Sequence, residues 1–162
     1  MATTVQSISA LFAEDHDRLD GLLEGFRRKK FENYAEARPF FREFQFGLQR
    51  HIVWEESILF PLFEEKTGLY HSGPTEVMRA EHRRIGQCLE ALHDKVRRQD
   101  LESDAEEAAL LGALEAHNQK EEMVLYPMLD RLLSDAEKQE IQDAMARVPE
   151  EAYRTCCGGH HH

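Results

Sequence analysis

Six side chains in this sequence combine metal-binding chemistry with a telling spacing: His16, His51, Glu55, His82, His117 and Glu121. Glu55 follows His51 by four residues and Glu121 follows His117 by four, so on a helix each pair shares a face. Imidazole nitrogens mixed with carboxylate oxygens suit first-row transition metals. Four imidazoles and two carboxylates are enough for two ions, each taking two histidines, with both glutamates bridging. A solvent bridge and one open position would complete six-coordination. This donor set favours iron, then manganese, with zinc able to substitute. The competing reading is a salt-linked polar layer without metal. Two buried, unpaired carboxylates are costly, however, and a cation removes that cost.

Such residues need rigid elements to bring them together. Gly and Pro are sparse and fall mostly between long periodic stretches, a pattern that predicts helices throughout. The first helix is expected from the N-cap Ser7 to about Lys30, with Leu11, Phe12, Leu19, Leu22, Leu23 and Phe26 as its apolar stripe. The second is expected from Pro39, read as an N1 proline, to about Lys66. The third runs from Pro74 to about Arg98. The fourth starts at a capping box of Ser103 and Glu106 and reaches about Leu133. Ser134 and Glu137 repeat that signature for a short fifth helix ending before Pro149. Residues 1–150 read as one domain and 151–162 as a flexible tail, whose terminal histidines are either native or a tag remnant.

The sequence also repeats itself. His51-Ile-Val-Trp-Glu55-Glu56-Ser-Ile-Leu59-Phe60-Pro61 matches His117-Asn-Gln-Lys-Glu121-Glu122-Met-Val-Leu125-Tyr126-Pro127 at an offset of 66 residues. The same offset carries Asp15-His16 onto Glu81-His82. Two copies of one helical hairpin, packed face to face, make an up-down-up-down four-helix bundle. The midpoints of His16/His51, His51/His82 and His82/His117 fall near residues 33, 66 and 99, all in expected turns. The four histidines therefore share one level. They also extend apolar stripes: Phe44, Leu48, Ile58 and Leu62 beside His51, Met78, Ile85 and Leu89 beside His82, Leu110, Leu114, Val124 and Met128 beside His117. Pro61 and Pro127 fall inside helical patterns, and each is expected to kink its helix or leave a carbonyl unsatisfied.

Composition narrows the partners. The net charge of −11 argues against nucleic acid and anionic membrane. No apolar run is long enough to span a bilayer, and no export signal is legible. Cys88, Cys156 and Cys157 do not form a disulfide framework, which fits a reducing cytoplasm.

The His…His-x3-Glu…His…His-x3-Glu pattern, with its Glu-Glu-x2-Leu-aromatic-Pro extension, resembles the haemerythrin-like, or HHE cation-binding, domain over residues 8–133. The resemblance implies an all-α bundle holding two non-haem irons, oxo- or hydroxo-bridged, with the six residues above as ligands. Two features depart from the oxygen carriers of that family. The carriers add a histidine four residues from the third-helix ligand, whereas Met78 and Gly86 flank His82 here. They also bridge through an Asp at i+5, whereas Glu121 stands at i+4 and Glu122 at i+5. The site thus resembles the four-histidine bacterial branch associated with nitric-oxide stress and iron-centre repair. Three functions follow from the resemblance: binding oxygen or nitric oxide as a sensor or stress-response protein, iron handling by sensing, storage or donation, and reduction of peroxide or nitric oxide. Binding ranks first because it needs the fewest added groups.

The remaining polar residues read more plainly. Asp15, Glu81, Glu56 and Glu122 turn about 100° off the ligand face and read as solvated or ion-paired, with a polar route as the alternative. Tyr126 reads as core, with a hydrogen bond to the site as its alternative. Gly47 and Ala113, matched across the repeat, read as close helix packing.

Overall fold

The computed structural model describes residues 5–154. Helix α1 spans Ile8–Lys29, with Ser7 accepting from the Ala10 amide as its cap. Its first turn is also held by Asp130, which accepts from the Ile8 and Ser9 amides at 2.7 and 3.1 Å. Helix α2, Tyr34–Trp54, passes through a π turn at Glu55–Leu59 into α3, Phe60–Thr67. Helix α4 spans Pro74–Arg97. Helix α5, Asp104–Lys120, passes through a second π turn at Glu121–Leu125 into α6, Tyr126–Leu132. Helix α7, Asp135–Arg147, opens on the Ser134/Glu137 capping box. The pairs α1/α2 and α4/α5 pack as hairpins, and α1 with α6 and α2 with α4 close the ring. This is the expected four-helix bundle with a short fifth helix.

Two apolar cores flank the histidine level. One gathers Leu19, Leu23, Phe26, Phe44, Ile85 and Leu89. The other gathers Phe12, Leu59, Phe63, Met78, Leu125 and Leu129, and Ile141 and Met145 of α7 join it. Each histidine interrupts a stripe that continues above and below it, so the bundle's own packing holds the polar layer in register.

Four local expectations are corrected. Helix α2 begins five residues before Pro39, capped by Asn33, which accepts from Glu36. Pro39 and Ala35 are both exposed, so the carbonyl that loses its partner to the proline faces water. Ser103 forms no capping box with Glu106. Its buried hydroxyl is engaged elsewhere, donating to Glu107 Oε2 at 2.6 Å and accepting from Lys30 Nζ at 3.1 Å. The tail does not start at residue 151. A 3-10 turn at Glu150–Arg154 docks on α2, where the buried Tyr153 hydroxyl accepts from Trp54 Nε1 at 3.2 Å. Cys156, Cys157 and the terminal histidines lie outside the described residues.

The fourth correction concerns the prolines. Each inner proline follows a π turn, in which the Phe60 amide bonds the Glu55 carbonyl and the Tyr126 amide bonds the Glu121 carbonyl. One extra residue in the turn clears the ring of Pro61 or Pro127 from the preceding carbonyl. It also shifts the inward register by one. Leu59, Phe60 and Phe63 are buried where Ile58 and Leu62 were expected, and Leu125, Tyr126 and Leu129 where Val124 and Met128 were expected. Val124 is 50% exposed.

Candidate metal centre

The bundle brings all six sequence-predicted residues into one buried layer. The donor atoms of Glu55, His82, His117 and Glu121 lie within 4.8 Å of one another, as do those of His16, His51 and Glu121. The histidines form two pairs, His16/His51 and His82/His117, each with ring centroids 4.7 Å apart. The two glutamates run between the pairs. Glu55 places Oε1 2.9 Å from His82 Nε2 and Oε2 3.5 Å from His51 Nε2. Glu121 places Oε1 3.3 Å from His16 Nε2 and Oε2 3.3 Å from His117 Nε2. Every histidine thus meets a carboxylate oxygen through Nε2, and each carboxylate spans both pairs.

Outside this layer lies a second set of carboxylates, read from sequence as solvated or ion-paired, and each is paired with a histidine of the layer. Asp15 accepts from His51 Nδ1 at 2.8 Å and Glu56 from His82 Nδ1 at 2.7 Å. Glu81 accepts from His117 Nδ1 at 2.8 Å and Glu122 from His16 Nδ1 at 2.6 Å. The order is cyclic: every long helix supplies a carboxylate to the histidine of the next, and the fourth supplies the first. A carboxylate on Nδ1 keeps the proton there and leaves Nε2 turned inward as the donor to a cation. A signal for this was present: each of the four acids adjoins a ligand-type residue, and the repeat duplicates both positions.

Tyr126 is both the core residue and the hydrogen-bonding group that the sequence allowed. Its hydroxyl is fully buried and donates to Glu55 Oε2 at 2.5 Å and Glu121 Oε1 at 2.8 Å, within 3.3 Å of His16 and His51 Nε2. The register shift of the π turn aims it there. Burial and then the Glu121 and Glu55 charges push its hydroxyl well above the usual phenol range, so it stays protonated.

Without a metal, protonated histidines balance the two glutamates. Burial alone would push the histidines down, but the Glu55 charge and the Asp15 hydrogen bond hold His51 up at about 10. Against the same burial, the hydrogen bonds that His82 donates to Glu55 and Glu56 hold it at about 10. Burial pushes Glu55 up, and the His51 charge with further hydrogen bonds overcomes it, leaving Glu55 well below the ordinary range. Glu121 Oε2 is buried with no hydrogen-bond partner. Between the rings is an enclosed cavity of about 10 Å³, walled on its apolar side by Leu19, Leu48, Ile52, Ile85 and Leu114. Nε2 atoms facing inward, an orphaned carboxylate oxygen and a water-sized gap fit a metal site.

Cys88 is a buried free thiol, and His93 stacks on Phe41. A Cβ on Gly47 would meet Leu19 Cδ2 at 2.7 Å, the close packing expected there. Among the described residues, no helix is long and apolar enough to cross a membrane.

Comparison with known proteins agrees with this geometry. A segment of 45 residues is 47% identical to the iron-sulfur cluster repair protein YtfE of Yersinia pseudotuberculosis serotype IB (strain PB1/+), covering 28% of this chain. The match spans only 20% of the length of that curated relative. No solved structure gives a significant match. The Hemerythrin HHE cation binding domain matches residues 7–129, most of the described bundle, and the chain belongs to that family.

Proposed function

We propose that the layer holds two irons, one taken by His16 and His51 and one by His82 and His117, with Glu55 and Glu121 as bridges, and that it binds oxygen or nitric oxide. The observation that carries this reading is the span of the two glutamates, each with one oxygen toward either histidine pair. Two irons so held supply the redox chemistry and the binding positions for a diatomic gas. The protein's own groups do the rest. The outer carboxylates hold the imidazole tautomers. Tyr126 holds a proton over Glu55 and Glu121. The apolar wall of the small cavity limits what enters to water-sized or diatomic molecules. A cytoplasmic location, through the cysteines that make no disulfide framework, and the absence of nucleic-acid or membrane partners, through the net charge of −11, belong to the same reading.

The test is metal analysis followed by anaerobic reduction of the iron-loaded protein and spectra with oxygen, nitric oxide and peroxide. Two irons per chain and a saturable nitric-oxide spectrum are expected. One iron or none after reconstitution, or no response to either gas, defeats the reading.

A second reading, donation of iron to damaged centres, draws on the similarity to an iron-sulfur cluster repair protein. It predicts transfer of iron from the reduced protein to an apo iron-sulfur acceptor faster than release to free chelator. Equal rates would discard it.

A further inference from the structure

A groove of about 650 Å³ runs along the outer face of α2, lined by Arg18, Arg42, Gln49, Arg50 and Gly47 among others. We propose that it is a binding site for a small molecule carrying two or more anionic oxygens, a phosphate ester or a polycarboxylate.

Its donors are unevenly partnered. Arg18 is paired with Asp15 at 2.9 Å. Yet Arg42 makes no ion pair among the described residues, and Arg50 Nε is buried without a hydrogen-bond partner. Gln49 is 8% exposed and lines the same groove. One buried guanidinium nitrogen without a partner, that of Arg50, thus lies at the groove beside the exposed Arg42. Glu43 and Glu150 line it too. Recognition must therefore come from directed guanidinium forks, which match carboxylate and phosphate oxygens in pairs, and not from net field. The volume is that of a small-molecule pocket. A second groove of about 240 Å³ shares Arg42 and Gln45 and adds Arg38 and Arg97, giving an extended ligand a second place for an anionic group.

The internal repeat supplies a control. At the 66-residue offset, Arg38, Arg42, Gln49 and Arg50 become Asp104, Ala108, Glu115 and Ala116. The bundle therefore does not need arginines there. The nearby groove on the second hairpin, about 290 Å³, has one arginine, Arg84, among residues such as Ala105, Glu106 and Ala109. Gly47 is the other difference. A Cβ there would lie 2.8 Å from Arg18 Nη2, so glycine lets that guanidinium lie across α2, whereas the second hairpin has Ala113. The groove also lies one side chain from the metal layer. Arg18 bonds Asp15 at 2.9 Å and Arg50 approaches it at 3.9 Å, while Asp15 accepts from His51.

Calorimetric titration of the iron-loaded protein with sodium phosphate and sodium succinate at low ionic strength tests this, with sodium chloride at matched ionic strength as the blank. One saturable site is expected for at least one of the two anions, and which one binds distinguishes phosphate from carboxylate chemistry. Arg42→Ala should weaken it about tenfold, as loss of a charge-assisted hydrogen bond does. Arg42→Ala with Arg50→Ala should abolish it, and Arg84→Ala should leave it unchanged. Alanine already stands at both counterpart positions, and Arg42→Gln gives a milder check should folding suffer. No saturable binding of either anion overturns the proposal. So does wild-type affinity in the double variant, or an equal loss in Arg84→Ala. The readout compares arginine variants and does not depend on gas binding, so it fails separately from the di-iron reading.

Discussion

Two buried clusters of charge lie in different parts of this bundle, and they are balanced in opposite ways. Near the α1–α2 turn, Lys30 is 2% exposed, and its ammonium donates to Glu107 at 2.5 Å, Asp104 at 3.0 Å, Ser103 at 3.1 Å and the Leu101 carbonyl at 3.3 Å. Glu107 in turn accepts from Arg27 and Ser103. Each charged group there has its partners within the protein. In the histidine layer, two carboxylates and four imidazoles face one another, and Glu121 Oε2 accepts no hydrogen bond although it lies 3.3 Å from His117 Nε2. Burial is the same in both places; closure is not. A buried cluster that completes its own hydrogen bonding is structure, whereas one that leaves acceptors turned to a shared centre is built for something else.

The largest expected effect separates the two by metal. Chelation should destabilise the protein by about 4 kcal/mol if loading had been a thousandfold above Kd. The deficit should grow with pH. In the metal-free protein, His51 and His82 are held at about 10, above their ordinary 6.5. A raised histidine contributes stability that is full below the unfolded value and is lost as pH rises through the folded one. The chelated form should therefore melt lower at pH 9 than at pH 6.5, and metal binding should release protons between those limits. Differential scanning calorimetry of both forms at the two pH values checks this. A constant gap between them would separate the imidazoles from the metal.

Lys30→Met should cost about 3 kcal/mol, because it leaves Glu107 buried with a weakened set of donors. Adding Glu107→Leu should recover most of it, since a buried pair replaced by apolar groups is often neutral. Urea melts of the single and double variants decide. If chelation and Lys30→Met prove non-additive, the two clusters are not independent and the contrast between them fails.

The bundle was legible for a definite reason. The 66-residue offset places His16 on His82 and His51 on His117, and equidistance from the turns sets their common level. Both follow from counting along ideal helices. What escaped was whatever breaks the count. The π turns at Glu55–Leu59 and Glu121–Leu125 add one residue to a turn, so Val124 came out exposed and Leu125 and Leu129 took the inward places. Pro61 and Pro127 carried that information, but a proline is compatible with a kink, an unsatisfied carbonyl or a widened turn, and tertiary packing chooses among them. The partners of the outer carboxylates escaped for another reason. Residues 100° off the ligand face of one helix point toward the next helix, and a helical wheel drawn for one helix does not show a neighbour.

A third comparison sets inner against outer carboxylates. Glu121→Ala should remove the dinuclear centre, with iron content falling to one per chain or less. Glu122→Gln should keep two irons but lower affinity between ten- and a hundredfold, the usual cost of losing a group that orients a ligand. Iron analysis and competition against a chromogenic chelator read both. The reverse ranking would move the bridge to i+5.

The smallest effect concerns the one residue by which the two halves of the layer differ most. Tyr126 has Phe60 as its repeat counterpart, and both rings are fully buried. Phe60 stacks on His82 at 5.6 Å, so the ring alone fills that side. Tyr126 adds a hydroxyl that donates to both glutamates on the His16/His51 side. Removing it leaves the volume unchanged and costs hydrogen bonds to charged acceptors, so Tyr126→Phe should lower metal-free stability by about 2 kcal/mol. In the loaded protein the carboxylates have a cation as partner, and the loss should shrink to about 1 kcal/mol. The hydroxyl also makes the His16/His51 half unlike the other. Without it the two iron environments should converge, and the two quadrupole doublets expected in the Mössbauer spectrum of the diferrous protein should move together. Phe60→Tyr is the converse, placing a second hydroxyl on the His82/His117 side, and should also bring the doublets closer. If neither variant changes their separation, Tyr126 does not set the asymmetry, and the difference between the halves must come from the charges on the outer carboxylates instead.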